Sequence, residues 1–536
     1  MCVFSSPFIP FYTKIISNIT TKSPRNLLQT AQKLAIINEW EGGGAARGPA
    51  KYRCAGVFRP RAAGAARKGG MALAAQDRRT FAIILAAGDG KRMKSDRPKV
   101  LCEVLFQPMI RWVENAVRDA GIDDITIVTG EGAKLVEAAV SPGCKFVCQR
   151  ERRGTGHAVM AAADALAAGG DALVLYGDAP FIEGGAITAA LRQHRAEQNA
   201  VTLVSARPAD PFGYGRVLRG PDGGVRAVVE ERDCDEATRA ITEINAGVYW
   251  FDAAFLAGAL AKLTPQNAQG EYYLTDVPAI AAAEGRRVGA WFCEDAQIVL
   301  GANDRRQLLA LNTLARERML LRHLDNGVDI PCADGILIGA QVEIGRDARI
   351  LPGTVLEGRT VIGPGCVIGP NSYIKDSTVG AGTRVLASYL TDSTVGEGTR
   401  IGPFTQLRPD SHIGNGVKIG DFVEVKNATV GDGTSIAHLT YIGDSDVGRY
   451  CNFGCGVVTA NYDGKKKFRT TVGDRAFIGC NTNLIPPVRI GEGAYTAAGT
   501  TVDSDVPAGA LAIGRVRQEI KEGWSDDNIA FKADKK

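Results

Sequence analysis

Residues 338–374 read IGAQVEIGRDARILPGTVLEGRTVIGPGCVIGPNSYI, with an aliphatic residue at every sixth position: Ile338, Ile344, Ile350, Leu356, Ile362, Ile368 and Ile374. After slips of one residue the count resumes at Ile401, Leu407, Ile413, Ile419 and Val425, and again at Val472, Ile478, Leu484 and Ile490. A period of six fits neither the 3.6 of a helix nor the 2 of a flat strand; a short fixed period marks a parallel β-solenoid. Three hexads close one triangular coil of about 18 residues, with aliphatic side chains inward and glycine or small polar residues at the corners. At about 4.8 Å per coil, roughly nine or ten coils form a rod about 45 Å long, held by ladder hydrogen bonds and a stacked aliphatic core.

Such a rod can be an inert spacer or can carry chemistry, and its irregularities decide between the two. The period breaks at residues 460–470, ANYDGKKKFRT, where a basic loop must leave the rod. Functional side chains gather at LRP (407–409), FVEVK (422–426), AHLTY (437–441) and NYDGKKKF (461–468). Residues about 18 apart lie on adjacent coils, and Arg408, Lys426 and His438 fall roughly within that spacing.

Upstream the pattern changes. From Thr80 apolar strands (FAIILAA, ITIVTG, ALVLYGD) alternate with helical stretches at 109–120 and 133–140. That alternation predicts a mostly parallel sheet covered on both faces, with ligands at the carboxyl ends of the strands. The first strand runs into LAAGDGKRM at 85–93, and PKVL follows at 98–101. Leu85, Ala86, Ala87, Gly88 and Gly90 are small enough around the turn for backbone N–H groups to approach a phosphate, and Arg92 and Lys99 supply positive charge. The loop is neither the G-x-G-x-x-G of dinucleotide sites nor the phosphate loop of ATPases. A charged helix at 305–324 leads into the solenoid as a rigid connector.

Composition narrows the class. The chain has 536 residues, enough for two or three domains, with 45% apolar and 23% charged residues. A net charge of +4 gives no argument for nucleic acid, and no apolar run approaches the roughly 20 residues that cross a bilayer. Twelve cysteines are scattered without C-x-x-C spacing, which reads as free thiols in a reducing cytosol, and the five histidines form no local metal motif. Residues 1–70 hold eleven Lys or Arg against Glu39 and Glu41. They read either as a targeting leader or as a stretch outside the working protein, since Met71 stands just before the first strand; either way they are expected to be disordered and without chemistry.

The run L-A-A-G-x-G-x-R-M followed by P-K resembles the signature of sugar-1-phosphate nucleotidyltransferases. With the solenoid, the chain is similar over residues 78–525 to the bacterial bifunctional N-acetylglucosamine-1-phosphate uridyltransferase and glucosamine-1-phosphate acetyltransferase family. Lys91 departs from the family, which has Thr there. The resemblance implies a Rossmann-like nucleotidyltransferase domain followed by a left-handed parallel β-helix of hexapeptide repeats. It also implies a cytoplasmic homotrimer that binds neither nucleic acid nor membrane. The expected division is a basic leader at 1–77, a nucleotidyltransferase domain at 78–304, a connector at 305–333, an acetyltransferase domain at 334–514 and a charged tail at 515–536.

It further implies two sites. In the first, Gln149 with Gly154 and Thr155 reads the uracil of UTP, and Tyr176, Gly177 and Asp178 close a buried strand at the phosphates. Asp178 and Asn303 hold Mg²⁺, while Gly215, Glu230 and Asn245 meet the sugar. His157 reads as part of a helix start rather than as a base. In the second, His438 is the general base toward glucosamine 1-phosphate, whose phosphate meets Arg408, Lys426, Tyr441, Asn452 and Lys467. Asn461, Tyr462, Cys480, Ala498 and Arg515 are the acetyl-CoA residues, Cys480 standing where relatives have Ser. The product of the second site, N-acetylglucosamine 1-phosphate, is then the substrate of the first.

Overall fold

The computed structural model describes residues 78–88 and 90–524, so the leader expected at 1–77 lies outside the described residues. The first strand, Thr80–Ala86, shows how the sheet is built: β-branched and apolar residues alternate faces. Ala82, Ile84 and Ala86 join the core on one side, and Phe81, Ile83 and Leu85 join the core on the other. Across the sheet the order is Val288–Phe292, Val201–Ala206, Ile244–Asp252, Asp171–Tyr176, Thr80–Ala86, Ile125–Thr129 and Lys145–Cys148.

The expected parallel sheet is present with one exception. Ile244–Asp252 runs antiparallel to both neighbours. It rises from the antiparallel ribbon of Arg216–Arg219 and Val225–Val229, against which Ile244 pairs, rather than returning across a long covering helix. Leu85 lies in register with Tyr176, so the loops after these two strands leave the sheet side by side. Gly177 N–H donates to Leu85 O at 2.9 Å, and Gln149 N–H to Thr129 O at 2.8 Å, which ties the exits of four neighbouring strands together in pairs.

The helix Arg305–Asp325 starts at Asp304, whose carboxylate accepts from the N–H groups of Arg306 and Gln307 at 2.9 Å. Leu308, Leu311 and Ala315 pack with Met93, Met109 and Phe181, while Leu320 joins the solenoid core. Each buried leucine contributes about 1.5–3 kcal/mol, so one helix is anchored in two cores.

The solenoid follows the hexad reading. Leu337 pairs with Val355 and Val355 with Tyr373, eighteen residues per coil, in parallel register. One face carries ten stacked strands from Arg349–Ile350 to Leu511–Ala512. The slips between Ile374 and Ile401 are five-residue steps through Val379, Val385, Leu390 and Val395, all buried, which shorten the coil to sixteen or seventeen residues. Where the basic loop leaves, the register jumps to twenty-five: Ser445 pairs with Thr470 and Asn452 with Phe477. Each corner needs a left-handed residue, and Asp376, Asp392, Asp410, Asn427 and Asp444 fill one such column. Another column holds Phe404, Phe422 and Leu439, also left-handed and all exposed.

Candidate active sites

The gathered strand exits border a cavity of about 250 Å³. Its walls include Leu85, Ala87, Gly88, Lys99, Gln149, Gly154, Thr155, Tyr176 and Asp178, nine of the residues singled out for UTP. Gly88 has open space on its Cβ side, as a backbone that must meet a phosphate requires, whereas a Cβ on Gly90 would lie 2.7 Å from that of Lys99. Ala86 turns into the core, and Gly177 sits beneath the cavity against Leu85. Arg92 is exposed on the short turn Lys91–Met93 and does not line the cavity.

Lys99 organises the charged end. Its Nζ donates to Asn303 Oδ1 at 2.6 Å and pairs with the Asp178 carboxylate. The two oxygens offered as metal ligands, 125 residues apart in the chain, therefore converge on one cationic point. A carboxylate and an amide oxygen, with the remaining positions open to water and phosphate, form the hard, sparse donor set that Mg²⁺ takes. Among the described residues no cluster of three or more His, Cys, Asp or Glu could hold a metal.

The residues expected to meet the sugar lie around this end. Burial pushes the Tyr214 phenol up, and the nearby charges of Asp178 and Asp210 add to it. Asn245 N–H donates to Gly215 O at 2.9 Å, its Nδ2 to Tyr249 Oη, and its Oδ1 accepts from Gly247 N–H. A Cβ on Gly247, at φ +71°, would strike the Tyr176 ring, so glycine is required there. Burial raises the Glu230 carboxyl, Asp233, Asp276 and Glu271 add to the shift, and a hydrogen bond from Thr275 opposes it.

Two cavity residues carried no sequence signal of their own, Arg152 and Glu271. Glu271 comes from a remote loop whose neighbour Tyr272 accepts the Gly156 N–H at 2.8 Å. A larger cavity, about 590 Å³, lies beside the connecting helix between Trp112, Phe181 and Arg318 and contains none of the expected residues.

On the solenoid, register places the second set. Asp421 pairs with His438 across adjacent coils, and His438 Nδ1 meets Asp421 Oδ1 at 2.9 Å. The carboxylate thereby fixes the ring with Nδ1 protonated and Nε2 bearing the lone pair. Asp421 escaped the sequence reading, although its position one coil before His438 was the available signal. His438 is 57% exposed and Asp421 42%, so this dyad lies on an open edge.

Around the corner, Leu407 and Val425 are in register, which sets Arg408 beside Lys426, and Glu424 pairs with Tyr441 on the next coil. Arg408 Nη1 bonds Glu424 Oε1 at 2.8 Å. The Lys467 amine, brought back by the excursion loop, lies beside Lys426 and holds it below the usual lysine range, with Arg408 adding to the effect. Three cationic groups crowded together form a site for an anion. Asn452 is exposed one coil beyond Ser435.

The residues named for acetyl-CoA separate. Cys480 and Ala498 continue the edge that runs from His438: Phe453 pairs with Ile478 and Ile478 with Thr496, and Arg515 Nη1 reaches Ala498 O at 2.6 Å. Asn461 is instead buried, its amide on the Asp444 carboxylate, and Tyr462 Oη folds back onto Gly464 O at 2.7 Å. The ten cysteines among the described residues are free.

A family model for the MobA-like NTP transferase domain matches residues 82–326, and bacterial transferase hexapeptide repeats match 341–376, 392–427 and 469–504. The chain is 47% identical over 447 residues to the bifunctional protein GlmU of Caldanaerobacter subterraneus, covering 83% of this chain and 98% of that protein. It is 46% identical, over the same shares, to the bifunctional protein GlmU of Thermoanaerobacter pseudethanolicus. The chain belongs to the GlmU family. Both halves of the resemblance thus hold together: a nucleotidyltransferase of α/β fold, then the left-handed hexapeptide β-helix of a GlmU protein. Among the described residues of this GlmU family member no helix is long and apolar enough to cross a membrane.

Proposed function

We propose that the protein makes UDP-N-acetylglucosamine in two steps: acetyl transfer on the solenoid, then uridyl transfer at the sheet. The observation that carries this reading is the presence, in one GlmU family chain, of a His–Asp dyad beside a cationic cluster and of a phosphate loop whose lysine joins two oxygen ligands.

In the first step Arg408, Lys426, Tyr441 and Lys467 bind the phosphate of glucosamine 1-phosphate, with Asn452 at its margin. His438 Nε2 takes a proton from the 2-amino group as the nitrogen attacks the thioester carbonyl of acetyl-CoA, and the thiol of coenzyme A leaves with a proton. Asp421 keeps the ring in the basic tautomer. Cys480, Ala498 and Arg515 line the course of the cofactor, and Lys521 lies beyond them in the tail. Asn461 supports the site through Asp444, which it bonds from a buried position.

In the second step the phosphate of N-acetylglucosamine 1-phosphate displaces pyrophosphate from the α-phosphorus of UTP. The nucleophile is already an anion, so alignment and charge neutralisation suffice. Gln149, Gly154 and Thr155 hold the uracil, the backbone from Leu85 to Gly88 and the Lys99 amine hold the phosphates, and Gly215, Glu230 and Asn245 seat the sugar. Arg92, exposed on the short turn after the phosphate loop and outside the cavity lining, would act on the triphosphate only through its charge. Asp178 and Asn303 would hold Mg²⁺, which when bound would supply electrostatic stabilisation of the uridylyl group in transfer.

The exposed column of Phe404, Phe422 and Leu439 stands beside the open dyad, the two phenyl rings stacked at 5.3 Å. Bulky residues in the left-handed conformation with apolar faces turned to solvent support an interface at this corner, where a second subunit of a homotrimer would cover His438. Free thiols among the described residues and the substrates named support a cytoplasmic location.

A product assay with glucosamine 1-phosphate, acetyl-CoA, UTP and Mg²⁺ tests the scheme. Omitting acetyl-CoA must stop both products, and omitting UTP must leave N-acetylglucosamine 1-phosphate to accumulate. Nucleotide sugar formed from glucosamine 1-phosphate without acetyl-CoA would overturn the order.

A further inference from the structure

His157 belongs to the helix Thr155–Ala161 and takes no part in the chemistry above, yet it holds the side chain assigned to the base. Gln149 is 5% exposed on the cavity wall. Its Nε2 donates to Gly154 O at 3.1 Å and contacts His157 Nδ1 at 3.1 Å. Gly154 O can only accept, so the group facing it must be the NH₂; turning the amide over would set two oxygens against each other. The second amide proton then goes to His157 Nδ1, which accepts it in the tautomer protonated on Nε2. With both donors used inside the protein, Oε1 is the atom Gln149 can present to a ligand. The helix start that carries the histidine is tied down by Gly156 N–H donating to Tyr272 O, and the imidazole lies 6.3 Å from the Tyr272 ring.

We propose that His157 is a positioning residue for base selection: it locks the Gln149 amide with its oxygen toward the base, so that the site takes uracil and refuses cytosine. Uracil offers an N3–H that this oxygen accepts. Cytosine has a lone pair at N3, and a locked carbonyl on this nearly buried side chain would meet it acceptor to acceptor. Without the imidazole nitrogen only the bond to Gly154 O still resists rotation, so the reversed amide that donates to cytosine N3 costs one hydrogen bond less than in wild type.

The proposal rests on Gln149 being the base reader, and the test separates the two. kcat/KM is measured with UTP and with CTP for wild type, His157→Phe, His157→Ala and Gln149→Ala, with thermal melts to establish folding. His157→Phe keeps a ring beside Tyr272 and removes only the acceptor. Expected is a fall of at least tenfold in the UTP:CTP ratio for both His157 variants, with kcat at saturating UTP within about threefold of wild type. Gln149→Ala should lower kcat/KM for UTP at least tenfold. If Gln149→Ala has that effect while the folded His157 variants keep the wild-type ratio, His157 has no part in selection and the proposal falls, with the base reader intact. If Gln149→Ala leaves UTP use unchanged, the base-reader assignment falls and takes the proposal with it.

Discussion

The two sites of this chain are assembled in opposite ways. The sheet site is gathered from loops between Leu85 and Asn303 around a cavity, and its members meet because the strand exits are drawn together. The solenoid site is laid along a straight edge by register, Asp421 beside His438 and Arg408 beside Lys426 on successive coils. Converging loops give the first site walls of its own. The second lies open, with an apolar column at its margin. A fold that closes on itself can finish a site within one chain, whereas a prism only presents an edge.

The largest effect that could break this comparison is His438→Ala. Acetyl transfer should fall by about 10²–10⁴, the range of a general base, while uridyl transfer continues at the wild-type rate; loss of both in separate assays would mean that the sites are not independent. Next comes Lys99→Ala, with uridyl transfer down about 10²–10³ and acetyl transfer untouched. A normal rate with UTP would remove Lys99 from the phosphate site.

Asp421→Asn sharpens the open-edge side of the contrast. Acetyl-transfer kcat should drop roughly tenfold, with KM for glucosamine 1-phosphate unchanged, because a neutral amide still contacts the ring but no longer enforces its tautomer. A change in KM alone would make Asp421 a substrate contact instead. The smallest effect is expected at Lys467→Ala: KM for glucosamine 1-phosphate rises severalfold. The Lys426 amine, relieved of a like charge, should titrate at higher pH than in wild type, since a neighbouring cation disfavours its charged form. Side-chain NMR of Lys426 would read this directly, and an unchanged titration would place the two amines apart.

Much of the solenoid site was legible in advance because a repeat turns sequence distance into spatial distance. Arg408 and Lys426, eighteen residues apart, could be placed on neighbouring coils by counting, and the excursion loop announced itself as a failed hexad, whereas His438, twelve residues after Lys426, falls on another face of the prism, beside Asp421. Counting did not show that Asn461 would turn inward to Asp444 or that Tyr462 would fold onto its own loop, since local hydrogen bonds rather than the repeat decide those orientations. In the sheet domain the phosphate loop and the strand ending at Asp178 were readable as motifs, but Arg152 and Glu271 were not. Nor was the antiparallel course of Ile244–Asp252 readable, because alternation of apolar residues is the same in either direction.

The sequence by itself determined the architecture, a sheet domain followed by a prism, because periods of two and six each permit one way of burying the apolar side chains. It also determined which stretches carry chemistry, through residue types that a core would not tolerate. Only the tertiary structure decided how those residues address one another. Lys99 spans Asp178 and Asn303, Asp421 turns His438, and His157 turns Gln149. The physical reason is that a hydrogen bond depends on distance and direction between atoms, which the chain fixes only once its strands are in register.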